Sequence, residues 1–287
     1  MDKPRKYATA TAFRRALEDR LKLISGKERL TIERVRREAA FDRLLARLFA
    51  RADAPWVLKG GYALELRMKE ARATRDIDLA LRHTLGKTKG SDLNDAIRKT
   101  LQEAARMDLG DFFVFEFGEI TQDLDAAPYG GARFPVLASM DERTFSKFHL
   151  DVGAGDVVLT PVDTTRGRDW LGFAGIAAPE FPTVSPDQHF AEKVHAYTLP
   201  RPSQNSRVRD LIDMILLIDS NKLDQRRVSE ALRATFERRR THPPPSSLER
   251  PPQSWKDPFA ALARECGRPV EINDAFDKVA AFYAALP

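Results

Sequence analysis

Two aspartates separated by one residue are the side chains best suited to chemistry in this sequence. Asp76 and Asp78 flank the apolar Ile77. On a β-strand, residues i and i+2 project to the same side, so both carboxylates would stand together, with the Thr74 hydroxyl beside them, while Ile77 enters the core. Adjacent carboxylates repel each other, and a divalent cation removes that repulsion. Carboxylate oxygens are the ligands that Mg²⁺ prefers, with Mn²⁺ as an alternative, so the pair predicts a metal site.

A glycine pair precedes the aspartates along the chain. Gly60 and Gly61 join a short apolar run over 56–58 to a segment with helical character. Without side chains, the backbone there can approach a phosphate closely, and a helix N-terminus offers free N–H groups. Alone, an Asp-x-Asp pair is common on surfaces and a glycine pair is a turn. In the order strand, glycines, helix, strand, they indicate nucleotidyl transfer, which requires a metal that bridges triphosphate oxygens.

Both helices and strands are predicted around these residues. Apolar residues at helical spacing predict helices over 8–24, 31–51, 62–69 and 91–107. Apolar and β-branched runs predict strands over 56–58, 77–81, 112–117, 133–139 and 147–152. Several predicted strands are consecutive, which favours a mixed sheet over a doubly wound parallel one. We therefore expect an α+β fold, with a nucleotidyltransferase-like mixed β-sheet core and flanking helices.

The character of the chain changes after about residue 180. Ser185, Pro186 and Gln188 form a typical helix start, with a capping serine and a proline in the first turn. Helices are predicted over 185–198, 207–220, 225–240, 254–265 and 271–285. We expect two domains, a core lobe with N-terminal helices over 1–175 and a helical C-terminal lobe over 176–287.

Composition excludes several classes of protein. No run of 18 apolar residues is present, so the sequence contains no candidate transmembrane helix. One cysteine, Cys266, excludes an internal disulfide and fits the reducing cytoplasm, where we expect the protein to act. A P-loop or dinucleotide motif is missing, and the five histidines have no spacing typical of zinc ligands. The net charge of +5 permits an anionic partner such as nucleic acid without establishing one.

The stretch from Trp56 to Leu81 resembles the nucleotidyltransferase superfamily, in which a Gly-Gly or Gly-Ser pair precedes an Asp-x-Asp. More closely, K-G-G-x-A-L followed by R-x-T-x-D-I-D resembles the AbiEii/AbiGii toxin family of abortive-infection and type IV toxin–antitoxin systems. The matching residues are Lys59, Gly60, Gly61, Ala63, Leu64, Arg72, Thr74, Asp76, Ile77 and Asp78. The resemblance implies catalytic metal ligands at the two aspartates and nucleotide-binding roles at Lys59, Gly60, Gly61, Arg72 and Thr74.

The superfamily usually supplies a third carboxylate from a later strand. Asp151 is the best candidate because it ends the alternating run of 147–152, although it could instead cap the turn at Gly153. Asp156 is the weaker alternative. We expect Asp76, Asp78 and Asp151 to hold the metal.

A second segment, over 189–217, is similar to a helix with the motif E-K-x-x-A followed by a helix with the motif R-x-x-D-L-x-D. Lys193 could reach NTP phosphates as a point charge, and Asp210 could orient Lys193 or act on the acceptor hydroxyl. Arg207 or Arg209 could bind phosphate. Without the resemblance, the same residues would form an ordinary ladder of ion pairs on helix surfaces.

The resemblance implies a Mg²⁺-dependent toxin that transfers a nucleoside monophosphate from an NTP to RNA, at the 3′ end of tRNA, and so inhibits translation. It also implies a cognate antitoxin. Two alternatives remain open, namely transfer to a small hydroxylated molecule such as an aminoglycoside, and a non-catalytic nucleic-acid-binding protein of the same fold. Basic residues available for RNA are Arg14, Arg15, Lys22, Arg36, Arg37, Arg238, Arg239 and Arg240.

Overall fold

The computed structural model describes residues 6–82, 91–123, 127–201 and 207–287. The chain forms two compact units whose segments alternate along the sequence. The first, which we call the sheet unit, comprises Met1–Leu58, Ala73–Gly155 and Thr164–Thr183. The second, the helical unit, comprises Lys59–Arg72, Asp156–Asp163 and Val184–Pro287.

Within the described residues, eight strands form one mixed sheet. Their bounds are β1 Trp56–Lys59, β2 Asp76–Leu81, β3 Val114–Phe117, β4 Gln122–Asp123, β5 Gly131–Met140, β6 Arg143–Gly153, β7 Asp163–Arg166 and β8 Glu180–Thr183. The strand order is β3-β5-β6-β2-β1-β8-β7, with β4 beside β5. Parallel pairs join β2 to β6 and β1 to β8, whereas β5 is antiparallel to β3, β4 and β6. The predicted mixed sheet is therefore confirmed.

The β5–β6 hairpin fixes the register of the strands that carry the candidate site. Its turn residues Asp141 and Glu142 both have positive φ, of 56° and 57°, as a tight hairpin turn requires. At the far end, a Cβ on Gly131 would lie 2.1 Å from the carbonyl oxygen of Val152, so only glycine fits there. Between these ends, Phe134 and Leu150 are fully buried on one face of the sheet.

Three helices belong to the sheet unit: α1 Ala10–Glu28, α2 Ile32–Leu48 and α4 Ser91–Ala105. Each of the first two begins at a threonine whose hydroxyl accepts a backbone N–H, Thr9 for α1 and Thr31 for α2. The helix α2 buries charged as well as apolar side chains. Arg47 donates two hydrogen bonds to the fully buried Asp111, at 3.0 and 2.6 Å, so that neither charge is buried without a partner.

The helical unit contains α3 Gly60–Arg67, α5 Pro186–Thr198, α6 Val208–Asp219, α7 Gln225–Arg239, α8 Lys256–Glu265 and α9 Ile272–Ala284. The predicted cap of α5 is confirmed, since the Ser185 hydroxyl accepts from the backbone N–H of Gln188. One apolar cluster holds these helices together. Leu64 and Ala71, which precede the predicted boundary at residue 175, belong to that cluster with Phe190 and Ile215.

The structure differs from the sequence-based elements in a few places. The helix α3 begins at Gly60 rather than after the glycines, and its first residue has a φ of 66°. The short strands β4, β7 and β8 were not predicted. Among the described residues, none of the helices has the length and apolar character needed to cross a bilayer.

Candidate active site

The three predicted metal-binding carboxylates lie on one face of two adjacent strands. In the parallel pairing of β2 with β6, Asp78 is opposite Asp151 and Asp76 is opposite His149. Residues directly opposite each other project to the same face of a sheet, and so do residues two apart on a strand. Ile77, between the aspartates, is fully buried on the other face. The predicted arrangement of β2 is therefore present, and Asp151 is placed beside it.

An arginine that the sequence did not single out neutralises this face. Arg133 on β5 is opposite Asp151 in the antiparallel pairing with β6. Its Nε and Nη2 atoms donate to the two oxygens of Asp151 at 2.8 and 2.7 Å, and Nη2 lies 3.8 Å from Asp76. The hydrogen bond to Asp151 raises the pKa of Arg133, and the charges of Asp151, Asp76 and Asp78 raise it further. A guanidinium thus offsets the carboxylate repulsion that the sequence assigned to a metal alone.

His149 adds a second basic group to the same face. Its Nδ1 atom lies 3.4 Å from Asp76, and its side chain is 44% exposed. The imidazole can donate a hydrogen bond to this carboxylate.

The donor set on this face fits a hard divalent cation. Asp76, Asp78 and Asp151 supply only carboxylate oxygens, which are the ligands of Mg²⁺ and Mn²⁺. In the described parts of the chain, no three acidic, histidine or cysteine side chains are arranged as a ready set of metal ligands. Both oxygens of Asp151 accept hydrogen bonds from the Arg133 guanidinium. Metal binding by Asp151 therefore competes with these two hydrogen bonds.

Thr74 does not lie on β2, contrary to the sequence-based expectation. The strand begins at Asp76, and Thr74 is buried in the irregular segment before it. Its hydroxyl donates to the backbone carbonyl of Asp76 at 3.2 Å, and its own carbonyl accepts from Nε of Arg37 at 3.1 Å. Thr74 thus supports the start of β2 instead of presenting its hydroxyl beside the carboxylates.

Lys193 and Asp210 lie together in the helical unit, as the motif on α5 and α6 predicted. Nζ of Lys193 is 2.9 Å from Oδ1 of Asp210 and 2.8 Å from Oδ2 of Asp213. Burial alone would lower the pKa of Lys193, but the charges of the two aspartates outweigh burial and raise it. These residues form a buried pairing and not the exposed ladder of ion pairs that the sequence left open.

Arg72 completes this buried cluster. Its Nε and Nη2 donate to the two oxygens of Asp213 at 3.0 and 2.8 Å. Burial alone would raise the pKa of Asp213, but Lys193 and Arg72 outweigh it and lower the pKa to about 2. Arg72 and Lys193 are therefore already neutralised by carboxylates within the fold. Asp213 is the partner of both, and the sequence had assigned it no role.

The remaining nucleotide-binding candidates of the helical unit, Lys59 and Arg207, differ in how they are paired. Lys59 is paired with Asp156 at 2.6 Å, and Asp156 also accepts from Arg239 at 2.9 Å. Asp156 is thereby committed to two cations, which disfavours it as the third metal ligand. Arg207 caps the N-terminal end of α6, is partly exposed, and lies 3.8 Å from Asp210.

The basic residues proposed for RNA binding are less available than their number suggests. Arg14 pairs with Asp141 and Arg36 with Glu18, whereas Lys22 stays exposed beside Asp19. Arg239 is mostly buried on Asp156, so the expectation that it forms an exposed basic surface is wrong. Pairing within the fold satisfies these charges first, because an unpaired buried or half-buried charge is costly.

The chain matches one family model and resembles several solved structures. A family model, described as Nucleotidyl transferase AbiEii toxin, Type IV TA system, matches residues 43–281. The nucleotidyltransferase toxin MenT4 from Mycobacterium tuberculosis has a similar structure, with a TM-score of 0.52 and 19% identity over 76% of this chain and 68% of that one. JHP933 from Helicobacter pylori matches with a TM-score of 0.47 and 13% identity, over 88% of this chain and 91% of that one. No curated protein sequence matches the chain.

A mixed sheet with paired aspartates on a strand that follows a Gly-Gly helix defines the class of protein, a nucleotidyltransferase. The family match extends over most of both units, from α2 to α9. The chain belongs to the AbiEii family of nucleotidyltransferase toxins of type IV toxin–antitoxin systems.

Proposed function

We propose that this enzyme uses Mg²⁺ to transfer a nucleoside monophosphate from an NTP to the 3′ end of a tRNA in the cytoplasm, and that the modified tRNA no longer supports translation. The observation that carries the proposal is the face shared by β2 and β6. There, Asp76, Asp78 and Asp151 stand side by side next to the guanidinium of Arg133. Membership in a toxin family supports a target that is essential for growth, and it also supports neutralisation by a cognate antitoxin protein.

The three carboxylates would hold Mg²⁺. A bound divalent cation supplies neutralisation of the triphosphate and of the charge that develops on the transferred phosphoryl group. In the reaction, the terminal hydroxyl oxygen of the RNA attacks the α-phosphorus, the bond from that phosphorus to the bridging oxygen of the β-phosphate breaks, and pyrophosphate leaves. The proton of the hydroxyl passes to a carboxylate or to solvent.

Arg133 has a defined task in this scheme. It holds Asp151 in position and keeps the carboxylates from repelling one another before the substrates bind. We assign the triphosphate to the glycine pair at the start of α3 and to Arg207, and we assign Lys59, which is paired with Asp156, a positioning role. Lys193 and Arg72 then act by positioning α6 through Asp210 and Asp213, since both are already paired.

The test is incorporation of label from each of the four α-labelled NTPs in turn, with purified tRNA, total RNA or an aminoglycoside as acceptor. We expect label in tRNA with Mg²⁺, and none with a chelator or with the Asp76→Asn protein. Label in the aminoglycoside but in no RNA would contradict the proposed acceptor while leaving the enzyme class intact. An antitoxin is tested separately, by restoring growth through co-expression with the protein encoded beside this one.

A further inference from the structure

A cleft of about 850 Å³ lies directly beside Asp76 on the carboxylate face of the sheet. Its floor is formed by β5 and β6, where Pro135 is opposite His149 and Leu137 is opposite Lys147. These residues lie on the same face as Asp76 because His149 is also opposite Asp76 in the pairing of β6 with β2. The cleft therefore extends from the carboxylates over β6 and β5 toward β3.

Cationic side chains line the walls of the cleft, and apolar side chains form its floor. Four cations line it, Arg37, Arg75, Arg133 and Lys147, against the two carboxylates of Asp76 and Glu116. Pro135 and Leu137 are half-buried and present apolar surface between them. Flat apolar surface edged by separate positive charges suits a nucleic-acid strand, because bases pack on the floor and each phosphate meets its own cation.

Two of these cations are free to meet a ligand. Arg37 is engaged with the Thr74 carbonyl and Arg133 with Asp151. Arg75 and Lys147 are exposed, and in the part of the chain that the structure describes no carboxylate forms an ion pair with either. They are therefore the cations best able to bind phosphates.

The position of the cleft in the strand order indicates which substrate it takes. The strand β2, which carries Asp76 and Asp78, lies between β1 on one side and β6 on the other. The chain runs from β1 directly into the glycine pair, to which we assigned the triphosphate. In phosphoryl transfer the attacking and leaving oxygens are roughly in line on opposite sides of the phosphorus. The cleft borders Asp76 on the β6 side of β2, so an acceptor bound in it would lie next to the carboxylates.

We infer that this cleft binds the single-stranded 3′ end of the acceptor RNA, with Arg75 and Lys147 on its phosphates and a base against Pro135 and Leu137. The inference rests on the proposed function, since it assigns the acceptor of that reaction to a place on the sheet. It gives Arg75 and Lys147 a binding role that the sequence motifs do not include. Asp76 lines the cleft, so a terminal hydroxyl bound at that end would lie beside the carboxylates.

The test is direct binding, followed by fluorescence anisotropy, of a 5′-labelled RNA hairpin with a short single-stranded 3′ overhang and of its blunt-ended counterpart. The variants are Arg75→Ala and Lys147→Ala. The matched control is Arg143→Ala, an exposed cation at the start of the same strand as Lys147 but outside the cleft. We expect each cleft variant to bind the overhang hairpin about fivefold more weakly and to lower the slope of log K against log salt by about 1. The blunt hairpin and the control should show no such change.

Binding of a non-hydrolysable NTP analogue, measured by calorimetry on the same proteins, separates the two substrates. Unchanged affinity for the analogue in both cleft variants supports the inference. Weaker binding of the analogue with unchanged RNA binding would overturn it and assign the cleft to the nucleotide. Equal loss in the Arg143→Ala control would also overturn it, because the effect would then be general charge. If wild-type protein binds the overhang selectively but transfers label to no RNA, the proposed function fails while the RNA-binding cleft stands.

Discussion

The pairing of Arg133 with Asp151 makes the metal site sensitive to one substitution. Arg133→Met removes the guanidinium and keeps a side chain of similar length, so that three carboxylates remain on one face with His149 as the nearest base. The side chains of Arg133 and Asp151 are 31% and 12% exposed, so the pair is neither fully solvated nor fully buried. Exposed pairs contribute about 0–1 kcal/mol, and loss of one partner of a buried pair costs about 3–5 kcal/mol. We therefore expect the free energy of unfolding of the variant without metal to fall by about 2 kcal/mol.

Mg²⁺ should reverse this loss in the variant. Without Arg133, nothing has to be displaced from Asp151 before the three carboxylates share a cation, so the variant should bind Mg²⁺ more tightly. A ligand at 100 times its Kd stabilises the folded state by about 2.7 kcal/mol. Chemical denaturation of wild type, Arg133→Met and Arg133→Lys, each with and without Mg²⁺, measures both effects. Arg133→Lys is the matched control because it keeps the positive charge and loses the bidentate hydrogen bonds to Asp151.

We expect the gain in unfolding free energy on adding Mg²⁺ to be largest for Arg133→Met and smallest for wild type. The same ranking should appear in calorimetric titrations with Mg²⁺ alone, which do not depend on activity. Equal stability and equal response to Mg²⁺ in all three proteins would refute the view that Arg133 occupies the carboxylate site in place of a metal.

Three further changes have defined outcomes. Lys193→Ala leaves two buried carboxylates with one cation fewer, and we expect denaturation to report a loss of about 3 kcal/mol in the free energy of unfolding; an unchanged midpoint would contradict the buried cluster. Thr74→Glu puts a charge where a buried hydroxyl supports the start of β2, and we expect the labelled-NTP assay to show no transfer; an active variant would contradict this supporting role. Burial, and then the charge of Arg239, lowers the pKa of His195 from 6.5 to about 3. The contribution of neutral His195 to the free energy of unfolding is therefore complete above pH 6.5 and is lost as the pH falls toward 3. The loss is up to about 1.4 kcal/mol per pH unit. His195→Gln should flatten this pH dependence in denaturation curves, and an unaltered slope would assign it to other groups.

The local pattern was sufficient to predict the centre of the fold. The alternation in D-I-D predicted that Asp76 and Asp78 share a face, because a strand has a fixed period of two. The helices of the C-terminal half were predicted to within a few residues, since each buries an apolar face with a regular spacing and α5 begins with a clear cap. Such features are encoded by residues that are close together in the sequence.

Interactions across the sheet and between distant segments could not be predicted in this way. Arg133 lies in a strand that was predicted, but its partner Asp151 depends on the register of the hairpin, which the turn at Asp141 sets. Arg72 and Asp213 are 141 residues apart, and no local pattern pairs them. The strands β7 and β8 were missed because β7 consists of polar residues and β8 contains a proline, which is unusual inside a strand.

The most direct test of the account is transfer of label from an α-labelled NTP to tRNA by wild type, Asp76→Asn and Asp78→Asn in the presence of Mg²⁺. The matched control is Asp141→Asn, because this aspartate lies in the turn between β5 and β6, outside the carboxylate face, with a positive φ that asparagine also tolerates. We predict full transfer by wild type and the control, and transfer at background by both site variants, all four proteins having the same circular dichroism spectrum. Near-normal turnover by either site variant would contradict the assignment of Asp76 and Asp78 as the catalytic centre.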